Sequence, residues 1–212
     1  GANTWVIRAA GYVNGDGVLD LIWQEPSVGQ IYAWLMNGGG TVQSGQWIST
    51  GQNTWVIRAA ADIDLDLVSD LIWQEPATGK VYLWLMNTNG TVKAGQWISS
   101  SANTWVIRTA IDVDGDMVGD LVWQEPATGK VYLWLMNANG TVKSGQWISM
   151  SSNTWVIRAA GDIDGDGIPD LIWQEPSTGR VYAWLMNANG TVNAGQWVSS
   201  SPNTWVIRTL LQ

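Results

Sequence analysis

The 212-residue chain has no cysteine, no histidine and no phenylalanine. Without cysteine there is neither a disulfide framework nor a thiolate metal site, and without histidine the Ser-His and Cys-His nucleophile pairs and His-ligated zinc are excluded too. Charged residues make up only 13% of the chain and form no run of one sign, so no segment reads as a disordered charged tail. Apolar runs are short and interrupted, far below the roughly 20 residues a membrane helix needs, and no membrane insertion is expected. The formal net charge of −8 argues against a nucleic-acid partner, whose phosphates call for a basic surface.

What is present is a repeat. "NTWVIR" begins at Asn3, Asn53, Asn103, Asn153 and Asn203, a period of 50 residues without drift. The expected organisation is one repeat domain over residues 1–212, with units 3–52, 53–102, 103–152 and 153–202 and an extra first strand at 203–212.

Each unit reads as four short strands. In the second they are "NTWVIRAA", "LIWQ", "VYLWLM" and "TVKAGQWIS", rich in Trp, Tyr, Val and Ile and without a sustained helical stripe. Turn residues separate them: "EPATGK" before the third strand, and "NTNG" after it, whose Asn-Gly predicts a two-residue hairpin turn. In the third strand Val81, Leu83 and Leu85 point one way and Tyr82, Trp84 and Met86 the other, so both faces need cover. A two-layer sandwich leaves one face of each sheet wet, whereas a β-propeller packs each blade between copies of itself. The fold class expected is therefore all-β, a propeller of four-stranded antiparallel blades, with a β-solenoid as the runner-up. The fourth strand, carrying Lys93, Gln96 and Ser99, suits the outer edge.

Between the first and second strands of a unit lies an acidic loop. It holds Asp62, Asp64, Asp66 and Asp70 in the second unit, Asp112, Asp114, Asp116 and Asp120 in the third, and Asp162, Asp164, Asp166 and Asp170 in the fourth. Carboxylates at positions 1, 3, 5 and 9 of a tight loop converge on one point and repel unless a cation sits there. Hard oxygen ligands in a flexible loop suit Ca²⁺ better than Mg²⁺, and position 7 adds a backbone carbonyl from Val68, Val118 or Ile168. An EF-hand is excluded, since Trp173 stands where its twelfth-position glutamate belongs and the loop joins strands. Asp and Gly also make turns without metal, but four spaced aspartates recurring in three units favour the ion.

The loops differ in quality. The fourth has Gly165 and Gly167 and is the best site. Leu65 and Leu67 replace those glycines in the second and Met117 replaces one in the third, which predicts either a left-handed turn costing roughly 1–2 kcal/mol per residue or a different turn. In the first, Asn14, Asp16 and Asp20 remain behind Tyr12, and that loop is expected to be weak or empty.

An apolar strand, then DxDxDGxxD, then a strand of the "DLIWQ" type resembles the FG-GAP or VCBS repeats of integrin α-subunit propellers, bacterial surface proteins and fungal propeller lectins. The resemblance covers essentially the whole chain, and it implies calcium in these loops and an extracellular or cell-surface binding module. Where the family carries Gly-Ala-Pro after the second strand, this chain has Gln-Glu-Pro, and it encodes four units where family propellers commonly have seven blades.

Every unit carries four tryptophans, most of them expected as packing between blades. Trp47, Trp97, Trp147 and Trp197, on the outer strand, are the candidates for stacking on carbohydrate. No catalytic site is expected: Glu25, Glu75, Glu125 and Glu175 recur identically before proline, which reads as a turn feature, and no unit holds a polar group the others lack. The partner expected besides carbohydrate is a second copy, as an eight-bladed homodimer or a head-to-tail assembly through the surplus strand. The alternative function is a self-assembling structural or designed scaffold with no ligand other than the metal.

Overall fold

Alternating β-branched and aromatic residues build sixteen strands, which the computed structural model describes within residues 4–208. The first blade is β1 (Val6–Gly11), β2 (Asp20–Gln24), β3 (Ile31–Met36) and β4 (Val42–Ser49). In the second, β5 (Val56–Ala61), β6 (Asp70–Gln74), β7 (Val81–Met86) and β8 (Val92–Ser99) follow. The third contains β9 (Val106–Ile111), β10 (Asp120–Gln124), β11 (Val131–Met136) and β12 (Val142–Ser149), and the fourth β13 (Val156–Gly161), β14 (Asp170–Gln174), β15 (Val181–Met186) and β16 (Val192–Ser199). Every sheet is an antiparallel meander in chain order, the blade of a β-propeller. No helix among the described residues is long and apolar enough to cross a membrane.

Two compact units are formed, one from residues 4–103 with 138–141 and one from 104–137 with 142–208. Within the first, β1 packs beside β5, and within the second β9 packs beside β13. The second strands are the most enclosed: all five residues of β6 and of β10 are buried. Ile57, Leu71, Trp73 and Met86 join Ile22 and Ile31 in the core of the first unit; Ile157, Leu171, Trp173 and Met186 join Val122 and Leu133 in that of the second. Each such side chain contributes roughly 1.5–3 kcal/mol when fully buried. The third strand is covered on both sides as its sequence requires, with Val81, Leu83 and Met86 buried and Tyr82 and Trp84 half-buried. The outer strands are largely exposed.

Bulges interrupt the ladders at fixed places. In the second blade the register slips around Arg58 on the inner strand and around Lys93 on the outer one, where Leu85 pairs Ala94 but Met86 pairs Val92. A bulge turns a side chain away from the alternation of its strand.

The Asn-Gly turns differ from expectation. Asn87 N–H donates to the Thr91 carbonyl and Gly90 N–H to that of Asn87, so three residues, not two, span the hairpin and only Gly90 has positive φ. Asn89 therefore never has to enter the left-handed region that a two-residue type I′ turn demands at both positions.

Blades are linked through the turn before the third strand. Gly129 N–H closes the turn onto the Glu125 carbonyl, while the Thr128 carbonyl accepts from Asn153 N–H at the start of the next blade. Gly129 has φ +72°, and a Cβ there would lie 2.4 Å from the Asn153 carbonyl oxygen, which is why the position takes no side chain. The opening of the fifth repeat is seated likewise: Asn203 N–H donates to the Thr178 carbonyl and Gln174 Nε2 to the Trp205 carbonyl. Residues 203–208 nonetheless form no strand, and residues 209–212 of the expected extra strand lie outside the described residues.

Candidate functional site

The ninth-position aspartate opens the second strand of every blade. Asp20, Asp70, Asp120 and Asp170 are completely buried. Each bridges the loop and the third strand: in the second blade Asp70 Oδ2 accepts from Ile63 N–H at 3.0 Å and Oδ1 from Met86 N–H at 2.8 Å. The same pair of bonds ties Val13 and Met36 to Asp20, Val113 and Met136 to Asp120, and Ile163 and Met186 to Asp170. Burial pushes the Asp70 carboxyl up to about 7 and that of Asp120 to about 6, against the opposing pull of two amides, and it raises Asp20 as well. Because the tie is complete even in the first unit, which lacks the first aspartate, it is structural. Spacing alone groups these residues with the candidate metal ligands and does not reveal this role.

The first aspartate caps its own loop. Asp62 accepts from Leu65 and Leu67 N–H, both at 2.8 Å; Asp112 accepts from Gly115 and Met117, and Asp162 from Gly165 and Gly167. At position 5 Asp66, Asp116 and Asp166 each accept from the position-7 N–H, of Val68, Val118 and Ile168 respectively. Leu65, Leu67 and Met117 have φ of 63°, 67° and 69°, so these loops turn in the same hand as the glycine-bearing fourth rather than taking another course. The amide bonds to Asp62 and Asp112 hold that strained backbone. Leu67 is 81% exposed, so little packing is lost with its side chain. Leu67→Gly is expected to raise the unfolding free energy by about 1 kcal/mol, after the greater entropy of an unfolded glycine is subtracted from the relieved strain. Urea denaturation measures it, and a loss of stability would contradict the strain argument.

Carboxylate oxygens of Asp62, Asp64 and Asp66, of Asp112, Asp114 and Asp120, and of Asp162, Asp164 and Asp170 lie within 4.8 Å of one another in their respective loops. Asp64 Oδ1 and Asp114 Oδ1 are buried with no hydrogen-bond partner, as fits a set of oxygens gathered for a cation. The Oδ2 atoms meet a lysine in the second and third units only. Lys93 Nζ lies 2.7 Å from Asp64 Oδ2 and 3.1 Å from Asp66 Oδ2, and Lys143 Nζ lies 2.9 and 3.0 Å from the same atoms of Asp114 and Asp116. These hydrogen bonds raise the pKa of both lysines, keeping them charged. The first loop supplies a neutral donor, Asn14 Nδ2, to Asp16 Oδ2 at 2.9 Å. Gln43 and Asn193 stand where the lysines do. In the fourth loop desolvation, and after it the charges of Asp166, Asp170 and Asp162, push the Asp164 carboxyl upward.

The tryptophans assemble into one aromatic cluster per blade. Trp97 stands opposite Tyr82 in the ladder, 5.1 Å between ring centroids, and 5.7 Å from Trp55, while Trp73 meets Trp84 at 4.6 Å. Corresponding contacts surround Trp47, Trp147 and Trp197. A concavity of about 400 Å³ lies among Asn53, Trp55, Trp73, Tyr82, Trp84 and Trp97 in the second blade, with counterparts of about 360 Å³ in the first and 430 Å³ in the fourth. The outer tryptophans are about half exposed, whereas Trp73, Trp123 and Trp173 are buried. The indole Nε1 atoms of Trp23, Trp73, Trp123 and Trp173 are buried without a conventional hydrogen-bond partner. The sequence reading selected the outer tryptophan of each pocket and assigned the others to packing; the Tyr82–Trp97 ladder register is the signal that joins them.

The glutamates close turns. Glu25 Oε2 accepts from Ser27 and Val28 N–H, and Glu75 and Glu175 accept from the Thr78 and Thr178 hydroxyls. Buried Gln124, overlooked in the sequence, clasps the next blade: its Nε2 donates to the Trp155 carbonyl at 2.8 Å and its Oε1 accepts from Ile157 N–H. Gln24 does the same with Trp55 and Ile57, and Gln174 with Trp205 and Ile207.

The model of the FG-GAP-like repeat matches residues 13–73 and 112–173, together more than half of the chain. No curated protein matches. Among solved structures, an Agrocybe aegerita lectin described by its specific recognition of non-reducing terminal N-acetylglucosamine is 20% identical, with a TM-score of 0.60 over 90% of this chain and 51% of its own. The V. cholerae biofilm matrix protein Bap1 is 18% identical, with a TM-score of 0.37 over 93% of this chain and 40% of its own. The chain thus spans about half the length of the lectin it matches, and the likeness is one of fold.

Proposed function

The chain belongs to the FG-GAP-like repeat family, and from that membership and the geometry of its blades we propose that it is a non-catalytic, calcium-binding propeller module that holds carbohydrate outside the cell. The observation that carries the reading is the aromatic pocket repeated on the blades, with a half-exposed indole at its mouth. Such a ring offers a flat apolar face to the C–H face of a sugar. A terminal N-acetylglucosamine is the first ligand to try, by analogy of fold with the lectin. Tryptophan fluorescence is expected to respond to it or to another sugar of a broad panel. Replacement of Trp47, Trp97, Trp147 and Trp197 together by alanine should abolish that binding while leaving the far-UV spectrum intact. Silence across the whole panel would end the lectin reading.

Calcium would be held in the fourth unit, by Asp162, Asp164 and Asp170, whose oxygens are gathered, together with Asp166 and the Ile168 carbonyl. The ion supplies positive charge that offsets the repulsion among the carboxylates; the chain's own amides shape the loop. Outside the cell, calcium at millimolar levels fills loops of modest affinity. A ligand present at about 100 times its Kd stabilises the folded state by roughly 2.7 kcal/mol. Calcium is therefore expected to raise the melting temperature, an increment that Asp166→Ala removes and Asp16→Ala leaves nearly unchanged. Equal losses in the two variants would defeat this ranking of the loops.

A second reading, self-assembly, is favoured by Trp205, which is 82% exposed where its counterparts Trp55 and Trp155 stack on neighbouring rings. Sedimentation at rising concentration without ligand tests it.

A further inference from the structure

We propose that Lys93 and Lys143 are tethered counter-cations of the second and third acidic loops, each ammonium engaging two of the carboxylates that a divalent ion would need, so that only the fourth loop is left to metal. The inference rests on the calcium reading for the fourth loop alone. The lysines lie 29 residues beyond Asp64 and Asp114, too far for a chance neighbour along the chain, and the two blades repeat one geometry. That geometry is built by the fold: the register of the outer strand slips around each lysine, and the resulting bulge re-aims it. Each ammonium donates to two carboxylates at once, at 2.7–3.1 Å, the range of charge-assisted bonds.

A divalent ion entering these loops needs the same carboxylates and meets a positive charge already bound to them. Either the lysine leaves or the ion stays out. The other two units lack the device. In the first, Asn14 serves Asp16 and only two carboxylates remain; in the fourth, Asn193 replaces the lysine, and Asp162, Asp164 and Asp170 stand together without a cation of the chain's own. The chain thus carries one loop of each unassisted kind and two that carry their own cation, which makes them indifferent to calcium supply.

Native mass spectrometry of the full chain, in calcium and then in EDTA, counts the ions. Wild type is expected to hold one Ca²⁺ and the double variant Lys93→Asn/Lys143→Asn three, asparagine being the residue the fourth unit has at this place. Three ions in wild type would overturn the proposal, because the lysines would then yield to metal. One ion in both proteins would overturn it too, since something other than the ammonium would be excluding calcium. If neither protein takes up calcium, the calcium reading fails by itself, and the lysine assignment is decided in EDTA. There the melting temperature of Lys93→Asn falls below wild type at low salt if the ammonium offsets the aspartates, and equal melting temperatures overturn it.

Discussion

Asp70→Ala is expected to lower the unfolding free energy by roughly 2–5 kcal/mol, and by the same amount in calcium and in EDTA. The carboxylate is fully buried and accepts two main-chain amides, Ile63 N–H in the loop and Met86 N–H at the end of the third strand. Alanine leaves both donors without their side-chain partner. Each stranded buried donor costs about 1–3 kcal/mol. Asp20→Ala should behave alike, although its loop has only two carboxylates, because the same two ties recur there with Val13 and Met36. If the loss at Asp70 vanished in EDTA, the residue would be acting through a bound ion and the structural account would fail. Chemical denaturation of each variant with and without chelator decides between the two.

The second large effect is expected at Gln124. One side-chain amide serves three groups: the Trp155 carbonyl, Ile157 N–H and the Nε of Arg108. Gln124→Ala strands an acceptor and a donor at the join of two blades, and about 2–4 kcal/mol of stability should be lost. Gln43→Ala, on the exposed outer strand, is the control and should stay within about 0.5 kcal/mol of wild type. A loss at Gln124 no larger than the control's would mean that the blades are held by apolar packing alone.

Blade number and strand order follow from the 50-residue period and from the two apolar faces of "VYLWLM", since a strand with both faces apolar admits few architectures. The acidic loops were equally legible, because their carboxylates lie within nine positions and any tight turn gathers them. The strand tie made by Asp70 was not: its partner Met86 is sixteen residues away, at the far end of the next strand of the meander. The leucines at positive φ were legible only as a question. Whether strain bends the loop or the loop imposes strain depends on the competition between a torsional cost and the amide bonds to Asp62, and the bonds win.

The sequence by itself determined the repeat, the all-β blades and the three loops rich enough in aspartate for a cation, because periodicity and local spacing are properties of the chain. Only the tertiary structure decided which carboxylate ties strands together, which loops already hold an ammonium, and which tryptophans share a pocket. The physical reason is reach. Lys93 meets Asp64 across 29 residues and Gln124 meets Trp155 across 31, through a bulge in one case and the packing of successive blades in the other, and neither contact leaves a local mark in the sequence.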